Sequence, residues 1–296
     1  MNDGILLIHK PQGMTSHDVV GRVRRLFGTR QVGHTGTLDP MATGLLVVLV
    51  GRAVKASEYA TAEGKQYRAV LRLGLQTDTE DITGAVLSRC ESLPEEAAVQ
   101  AVLTAFRGEI RQVPPMYSAL KRGGEKLCDL ARRGETVERE ARPVTVEALT
   151  AARLTDSDYA LTVTCSKGTY IRTLCADIGR ALGCGGTMAS LCRTAVGDFL
   201  LTEAVTLEHL EGMTETERQT CLRPAESLFA SLPILRLPPF FAKLAEAGNE
   251  IYLKKLGLTL PVGQRVRLYD HAFFSLGEVR DYPDGPAVKP IKKFRL

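Results

Sequence analysis

Apolar residues recur along the chain in three rhythms. Residues 4–8 (GILLI) form a continuous apolar run, which predicts a short strand covered on both faces. Val19, Val20, Val23 and Phe27 follow helical spacing; Thr15 or Ser16 can cap that helix and Gly28 can end it. Arg22, Arg24 and Arg25 lie largely off its apolar stripe. Residues 45–50 are again continuously apolar, and Tyr67, Ala69, Leu71 and Leu73 alternate with Arg68 and Arg72, the mark of a half-buried strand. Pro94 opens a helix with Val99, Val102, Leu103 and Phe106 on one side, residues 159–165 alternate as a strand, 167–170 turn out of it, and 172–181 read as a helix closed by Gly183.

Three stretches break these rhythms. Residues 33–44 (GHTGTLDPMATG) hold three glycines and a proline and predict a constrained loop. Residues 113–140 are charged and contain glycine around a short helical centre, which suits an exposed arm. Residues 231–239 (SLPILRLPP) are the best linker candidate, and beyond them Arg265–Tyr269 and residues 273–279 read as strands. A unit of that size is marginal but feasible. No repeat is visible. The fold class expected is α+β for residues 1–232, followed by a small β-rich domain over 233–296.

Composition narrows the function. The chain has 296 residues, 44% hydrophobic and 24% charged, enough apolar mass for a sizeable core. The longest apolar run, 45–50, is far short of a bilayer span of ~20 residues. The start, Met1-Asn2-Asp3, has no signal-peptide pattern, so a soluble, cytoplasmic protein is expected. Seven cysteines form an odd set without C-x-x-C spacing, which argues against disulfides and zinc. No P-C-x-x-C, P-loop or G-x-G-x-x-G pattern occurs, which excludes zinc deaminase, P-loop and dinucleotide-binding chemistry at the motif level. Net charge is +4 overall, but +5 over residues 1–72, −6 over 73–231 and +5 over 232–296. Two basic ends suggest local polyanion contacts.

Candidate chemistry centres on Asp39, the only acid between Asp18 and Glu58. A lone carboxylate in a Gly/Pro-rich loop fits a nucleophile or general base; its spacing alone favours an Asp-Pro turn. Tyr67 reads as a core tyrosine of its strand. Arg172 could pair with a buried carboxylate or start a solvated helix, with Tyr170 at the same turn. His34 could stack on a base or cap a turn. Arg193 follows the apolar Leu191, and a basic residue near a turn is expected to face solvent.

Six ordered motifs resemble one family, the TruB-type tRNA pseudouridine synthases: GILLIHKPQGMTS (4–16), GHTGTLDPMATG (33–44), KQYR (65–68), VPPMYSALK (113–121), KGTYIR (167–172) and LCRTAVG (191–197). The matches span residues 4–199, about two-thirds of the chain. The resemblance implies a mixed or antiparallel-sheet catalytic domain over 1–232 whose residues 113–140 close on RNA. It also implies a PUA-like RNA-binding domain over 233–296, a weaker match resting on position, length and the basic tail Lys289, Lys292, Lys293 and Arg295. The implied activity is isomerisation of uridine 55 in the tRNA T-loop, without cofactor or metal.

By the same resemblance Asp39 is the catalytic aspartate, Tyr67 stacks on the base, and Arg172 pairs with Asp39. Tyr170, Leu191 and His34 contact the substrate. Lys10 is grouped with the substrate-binding residues, although with Pro11 it matches a motif that mainly supports the site. Cys192 departs from the pattern, where a basic residue is more usual. The implied partner is tRNA, through T-arm and elbow, with no membrane or protein partner and a monomeric enzyme. Two rivals share these features: the catalytic subunit of a guide-RNA pseudouridine synthase, and a non-catalytic tRNA-binding or folding module. A carboxylate glycosidase would need a second catalytic acid, and none accompanies Asp39 in the motifs.

Overall fold

A computed structural model describes residues 3–60, 64–118 and 120–294. Arg295 of the basic tail, Ala119 of the arm motif and the first two residues lie outside them. In chain order the first part of the chain contains β1 (Gly4–Lys10), α1 (Ser16–Leu26), β2 (Val32–His34), β3 (Thr43–Val50), α2 (Ser57–Ala60) and β4 (Lys65–Leu73). The hairpin β5 (Leu75–Thr77) and β6 (Val86–Arg89), α3 (Glu96–Val102) and β7 (Gly108–Gln112) follow. Then come the two-residue strands β8 (Lys121–Arg122) and β9 (Glu125–Lys126), α4 (Leu127–Arg132), β10 (Arg142–Arg153), β11 (Asp158–Cys165), α5 (Ile171–Ala181), β12 (Gly186–Val196) and β13 (Phe199–Leu200).

Nine of these strands form one sheet, in the order β1-β3-β12-β4-β11-β10-β7, with β2 added on β3 and β13 on β12. Every pairing is antiparallel except β3 with β12, which run parallel over two residue pairs, Cys192↔Thr43 and Arg193↔Gly44. The sheet is therefore two antiparallel halves joined by a short parallel seam. Gly44 makes that seam possible. It sits at φ +105, and a Cβ there would lie 2.3 Å from the Arg193 carbonyl oxygen, so only glycine fits.

β3 explains why its sequence is apolar without interruption. Leu45, Val47 and Leu49 enter one core, Leu46, Val48 and Val50 another, and each is 0% exposed. The second core is closed by Val19, Val20, Val23 and Phe27 of α1. Thr15 rather than Ser16 caps α1: its Oγ1 accepts from Asp18 N at 3.1 Å while Asp18 Oδ2 accepts from Thr15 N at 2.8 Å, a reciprocal capping box. Ser16 instead bonds the Asp39 loop, its Oγ accepting from Leu38 N at 2.9 Å. The loop expected over 33–44 is shorter than that, because residues up to His34 pair with β3 as β2.

The strand β12 was not signalled by alternation. Register shifts at Met188/Ser190 and Arg193/Ala195 interrupt its period of two, as bulges do. A similar shift between Val146 and Ala148 obscures β10.

Residues 231–239 are not a free linker. Ile234–Arg236 form β14, and the helix Pro239–Glu246 begins three residues later. β14 runs parallel to β16 (Arg265–Tyr269) in a five-stranded sheet with β15 (Ile251–Tyr252), β17 (Phe273–Arg280) and β18 (Ala287–Lys293), ordered β14-β16-β17-β18-β15. Leu276 of β17 is buried in the same cluster as Ile5, Leu45 and Phe229, with Phe273, Ile291 and Phe294 packed on it. The second sheet thus shares a core with the first.

Candidate active site

The site is built at the parallel seam. The chain leaves β2, turns through residues 35–42 and re-enters the sheet as β3. Asp39 stands at the tip of this turn, its carbonyl accepting from Ala42 N at 3.1 Å, while Pro40 O accepts from Gly13 N at 2.8 Å. The turn is the Asp-Pro conformation that the spacing allowed; the carboxylate, however, is not turned onto its own backbone. It meets Arg172, whose Nε lies 3.0 Å from Asp39 Oδ2 and whose Nη2 donates to Oδ1 at 3.4 Å. The Arg172 side chain is 5% exposed and the Asp39 side chain 32%.

Arg172 occupies the first turn of α5 and faces inward. Its remaining donors are used as well. Nη1 donates to Thr79 O at 3.1 Å and lies 3.6 Å from Asp81 Oδ2, and Nη2 donates to Tyr117 O at 2.8 Å. Asp81 is itself fixed by Thr79 Oγ1 at 2.9 Å, Thr83 N at 3.0 Å and Thr83 Oγ1 at 2.5 Å. One guanidinium therefore ties the Asp39 turn, the loop before β6 and the start of the 113–140 arm together. A planar fork that stays charged suits this task, whereas a lysine would supply one point charge.

Burial raises the Asp39 pKa above its ordinary value; Arg172 opposes this, Asp81 adds to it, and Lys10 opposes it. Desolvation outweighs the counterion, so the arginine moderates the rise rather than reversing it.

Tyr67 and Leu191 lie on adjacent strands β4 and β12, 7% and 8% exposed, in one cluster with Leu38 and Ile171. Burial pushes the Tyr67 phenol above its usual pKa, with Arg193 opposing and the Asp39 charge adding to the shift. Tyr170 caps α5. Its N–H donates to Gln112 Oε1 at 3.0 Å, and its phenol is likewise raised by burial, with Asp39 contributing. His34 ends β2; burial and then the Arg193 charge lower its pKa, and its Nδ1 is buried without a hydrogen-bond partner. At neutral pH it is an uncharged ring.

Two expectations are corrected. Lys10 is 0% exposed, and its ammonium donates to Met14 O at 2.7 Å, Pro11 O at 2.8 Å and Pro40 O at 3.4 Å. It braces the turn behind Asp39 from within and has no surface to offer a substrate. Burial lowers its pKa to about 8. Arg193 does not face solvent either, being 1% exposed within β12. Asp81 was missed because the run DTEDITG (78–84) reads as an ordinary polar turn. Arg193 had a usable signal: it is the single charge in the apolar frame LCRTAV.

The arm over 113–140 folds as the β8–β9 hairpin and α4, with Leu127 and Leu130 buried. Arg139 Nη1 donates to Pro114 O at 3.0 Å and Arg122 donates to Glu138 O, closing the arm at its base. Among the described residues no helix is long and apolar enough to cross a membrane.

With this geometry in place, the comparisons are specific. Residues 24–171 match the N-terminal domain of the TruB family pseudouridylate synthases, and residues 172–230 match the tRNA pseudouridylate synthase B C-terminal domain. The tRNA pseudouridine synthase B of Burkholderia mallei is 46% identical over 280 residues, 94% of this chain and 93% of its own. That of Alkaliphilus oremlandii is 43% identical over 297 residues, covering 99% and 98%. Among solved structures, a Cbf5-Nop10-Gar1 complex contains a chain similar to this one at TM-score 0.71 and 26% identity, covering 99% of this chain and 85% of that one.

Proposed function

The chain belongs to the TruB family of pseudouridine synthases, and on that premise we propose that it isomerises uridine 55 in the T-loop of tRNA, with Asp39 as its catalytic carboxylate. The activity class is tRNA pseudouridylation, an isomerisation. The observation that carries the residue assignment is the Asp39–Arg172 pair at the sheet seam. An ionisable carboxylate is held one-third open beside a buried tyrosine and leucine, with its counterion locked from four sides.

The chemistry follows from that arrangement. The target base must leave the T-loop stack, at a cost of a few kcal/mol, and stacking on Tyr67 returns roughly 1–3 kcal/mol. Leu191 and Tyr170 line the pocket, and the neutral His34 ring faces the T-loop. Asp39, ionised, acts on the sugar as nucleophile or as base. The N-glycosidic bond breaks, the uracil rotates, and C5 bonds to C1′; C5 then loses its proton while N1, freed from the sugar, gains one, so that the product is an isomer of the substrate. No electrons enter or leave, so the sequence of steps calls for no redox cofactor.

Residues 233–296 act as a PUA-like RNA-binding domain on the acceptor side of the tRNA, supported by the net +5 over 232–296. The arm over 113–140 closes on the T-arm. We further propose a cytoplasmic monomer that needs no protein partner. Near-complete coverage of relatives named tRNA pseudouridine synthase B at 43–46% identity supports this over the guide-RNA alternative, whereas the chain of the Cbf5-Nop10-Gar1 complex is 26% identical. The test is nucleoside mapping by mass-labelling of a tRNA transcript treated with the purified protein alone. Pseudouridine at the single T-loop position is expected; conversion only after addition of a guide RNA or partner protein would overturn the reading.

A further inference from the structure

The largest fully buried side chain among the described residues is Arg193, in the middle of β12. Removing a guanidinium from water costs several kcal/mol unless its donors are satisfied. Here Nε donates to Leu45 O at 2.7 Å, Nη2 to Gly36 O at 3.1 Å and Nη1 to Thr37 O at 3.4 Å. Gly36 and Thr37 lead directly into Leu38 and Asp39, and Leu45 lies just beyond the end of the same turn. One cation thus bonds both limbs of the loop that carries Asp39.

Its own strand then couples it to the ring. Arg193 and Tyr67 are register partners across β12 and β4, and the guanidinium opposes the upward push of burial on the Tyr67 phenol. Leu191 lies two residues earlier on the same strand. Among the described residues the charge is met by carbonyls and by this phenol rather than by a carboxylate. A buried cation without an acid partner contributes little to stability that an apolar side chain could not. Its placement between the two halves of the site is what distinguishes it.

We propose that Arg193 is a positioning residue of the isomerisation: by bonding the Asp39 turn while facing Tyr67 from β12, it fixes the carboxylate and the aromatic ring relative to each other across the flipped base. The inference rests on the roles given above to Asp39 and Tyr67. Lysine cannot substitute, because one ammonium cannot reach both limbs of the turn and the phenol at once.

The test uses the full chain. Arg193→Lys is assayed below its measured unfolding temperature, by single-turnover conversion with enzyme in excess and by filter binding of tRNA. Misplacement of reacting groups by about 1 Å costs on the order of 100-fold, so a rate about 10- to 100-fold lower is expected, with Kd changed less than about threefold. A second measurement does not depend on this variant folding. The 15N resonance of Arg193 Nε is followed in the unsubstituted protein and in Tyr67→Phe, and is expected to move when the hydroxyl is removed. A wild-type rate in folded Arg193→Lys, equal losses of rate and binding, or an Nε resonance indifferent to Tyr67→Phe would each overturn the inference. Asp39→Asn in the same assay separates the two levels. Turnover surviving in Asp39→Asn removes the catalytic assignment itself, whereas an inactive Asp39→Asn beside a wild-type Arg193→Lys removes only the positioning role.

Discussion

At the sheet seam, Arg172 and Arg193 are 5% and 1% exposed, and between them they hold the turn that carries Asp39. On the five-stranded sheet, Arg265, Arg280, Lys289 and Lys292 also meet carboxylates, at 3.4, 3.0, 3.2 and 2.8 Å, but with side chains 31–49% exposed. The distances are similar; the surroundings are not. Around these two guanidiniums little water screens a misplaced charge, so each donor needs a fixed acceptor and each pairing alters a neighbour's protonation. At these four pairs solvent competes for the same groups, and such pairs contribute about 0–1 kcal/mol. A list of ion pairs would rank the two regions alike, whereas burial separates a site from a solvated face.

The largest expected effect breaks the seam at its centre. Asp39→Asn keeps size and removes charge and nucleophilicity, so single-turnover conversion should fall below detection. Filter binding should change little, because RNA affinity comes mainly from phosphates and stacking. Arg172 keeps its contacts to Asp81, Thr79 and Tyr117, which limits the loss of stability in thermal unfolding to about 1–3 kcal/mol. Near-normal conversion would return Asp39 to an ordinary Asp-Pro turn.

The same contrast governs what the sequence disclosed. Strands that alternate or run apolar, such as residues 45–50 and the Tyr67–Leu73 set, were legible because period-two patterns report burial directly. The motif resemblance brought Asp39, Tyr67, Tyr170, Arg172 and Leu191 forward together, and the fold gathers them at one seam. Arg193 was misread because charged residues are usually taken as exposed; for Lys10 the grouping with substrate-binding residues gives way to the supporting role that its motif also implied. The burial of Arg193 depends on carbonyls supplied by residues distant in sequence, such as Leu45, whereas Lys10 is met chiefly by the carbonyls of its neighbours Pro11 and Met14. Asp81 was invisible because its link to Asp39 runs through Arg172, a three-body arrangement that spacing does not encode. The stretch over 231–239 misled for the opposite reason: its prolines suggest a linker, yet Ile234–Arg236 find a parallel partner about 30 residues later.

A second prediction sharpens the electrostatic side. Asp39 has a pKa already above its ordinary value, and Arg172 is the main influence lowering it. If the ionised form is the active one, activity is lost as pH falls through that raised pKa, so the acid limb of kcat/KM should lie above the ordinary Asp value of ~3.9. In Arg172→Met the cation is gone, the pKa rises further, and the limb should move toward neutrality along with a lower plateau. Stability should fall by about 3 kcal/mol or more, since Asp39 and Asp81 lose a buried partner. An acid limb unmoved by Arg172→Met would mean that the two charges are not coupled.

A third, smaller effect probes the exposed region through RNA. Lys254 and Lys255 are exposed beside Tyr252, their ammonium groups 5.6 and 5.8 Å from its ring centroid. If residues 233–296 hold tRNA through phosphates, replacing both of these lysines, which lie just after β15, with alanine should reduce the slope of log K against log salt by up to ~2. Single-turnover conversion at saturating enzyme should stay at the wild-type rate. An unchanged slope would place these lysines off the RNA path, and a lowered rate would contradict the separation of binding from chemistry.

The smallest expected effect lies between the two sheets. Lys292 Nζ reaches Glu58 Oε1 at 2.8 Å, with side chains 31% and 60% exposed, and on distance alone it would be credited with joining them. The adjoining cluster of Leu276, Phe229, Ile5 and Leu45 is dry. Removing a large side chain from such a cluster costs about 2–5 kcal/mol, against 0–1 kcal/mol for an exposed pair. Lys292→Ala should therefore shift the unfolding free energy by less than about 1 kcal/mol, and less still at high salt, where the remaining attraction is screened. Leu276→Ala in parallel should show the larger loss and little salt dependence. A Lys292→Ala cost as large as that of Leu276→Ala, disappearing together with Glu58→Ala in a double-mutant cycle, would show that an exposed pair holds the sheets together, and burial would no longer divide the two regions.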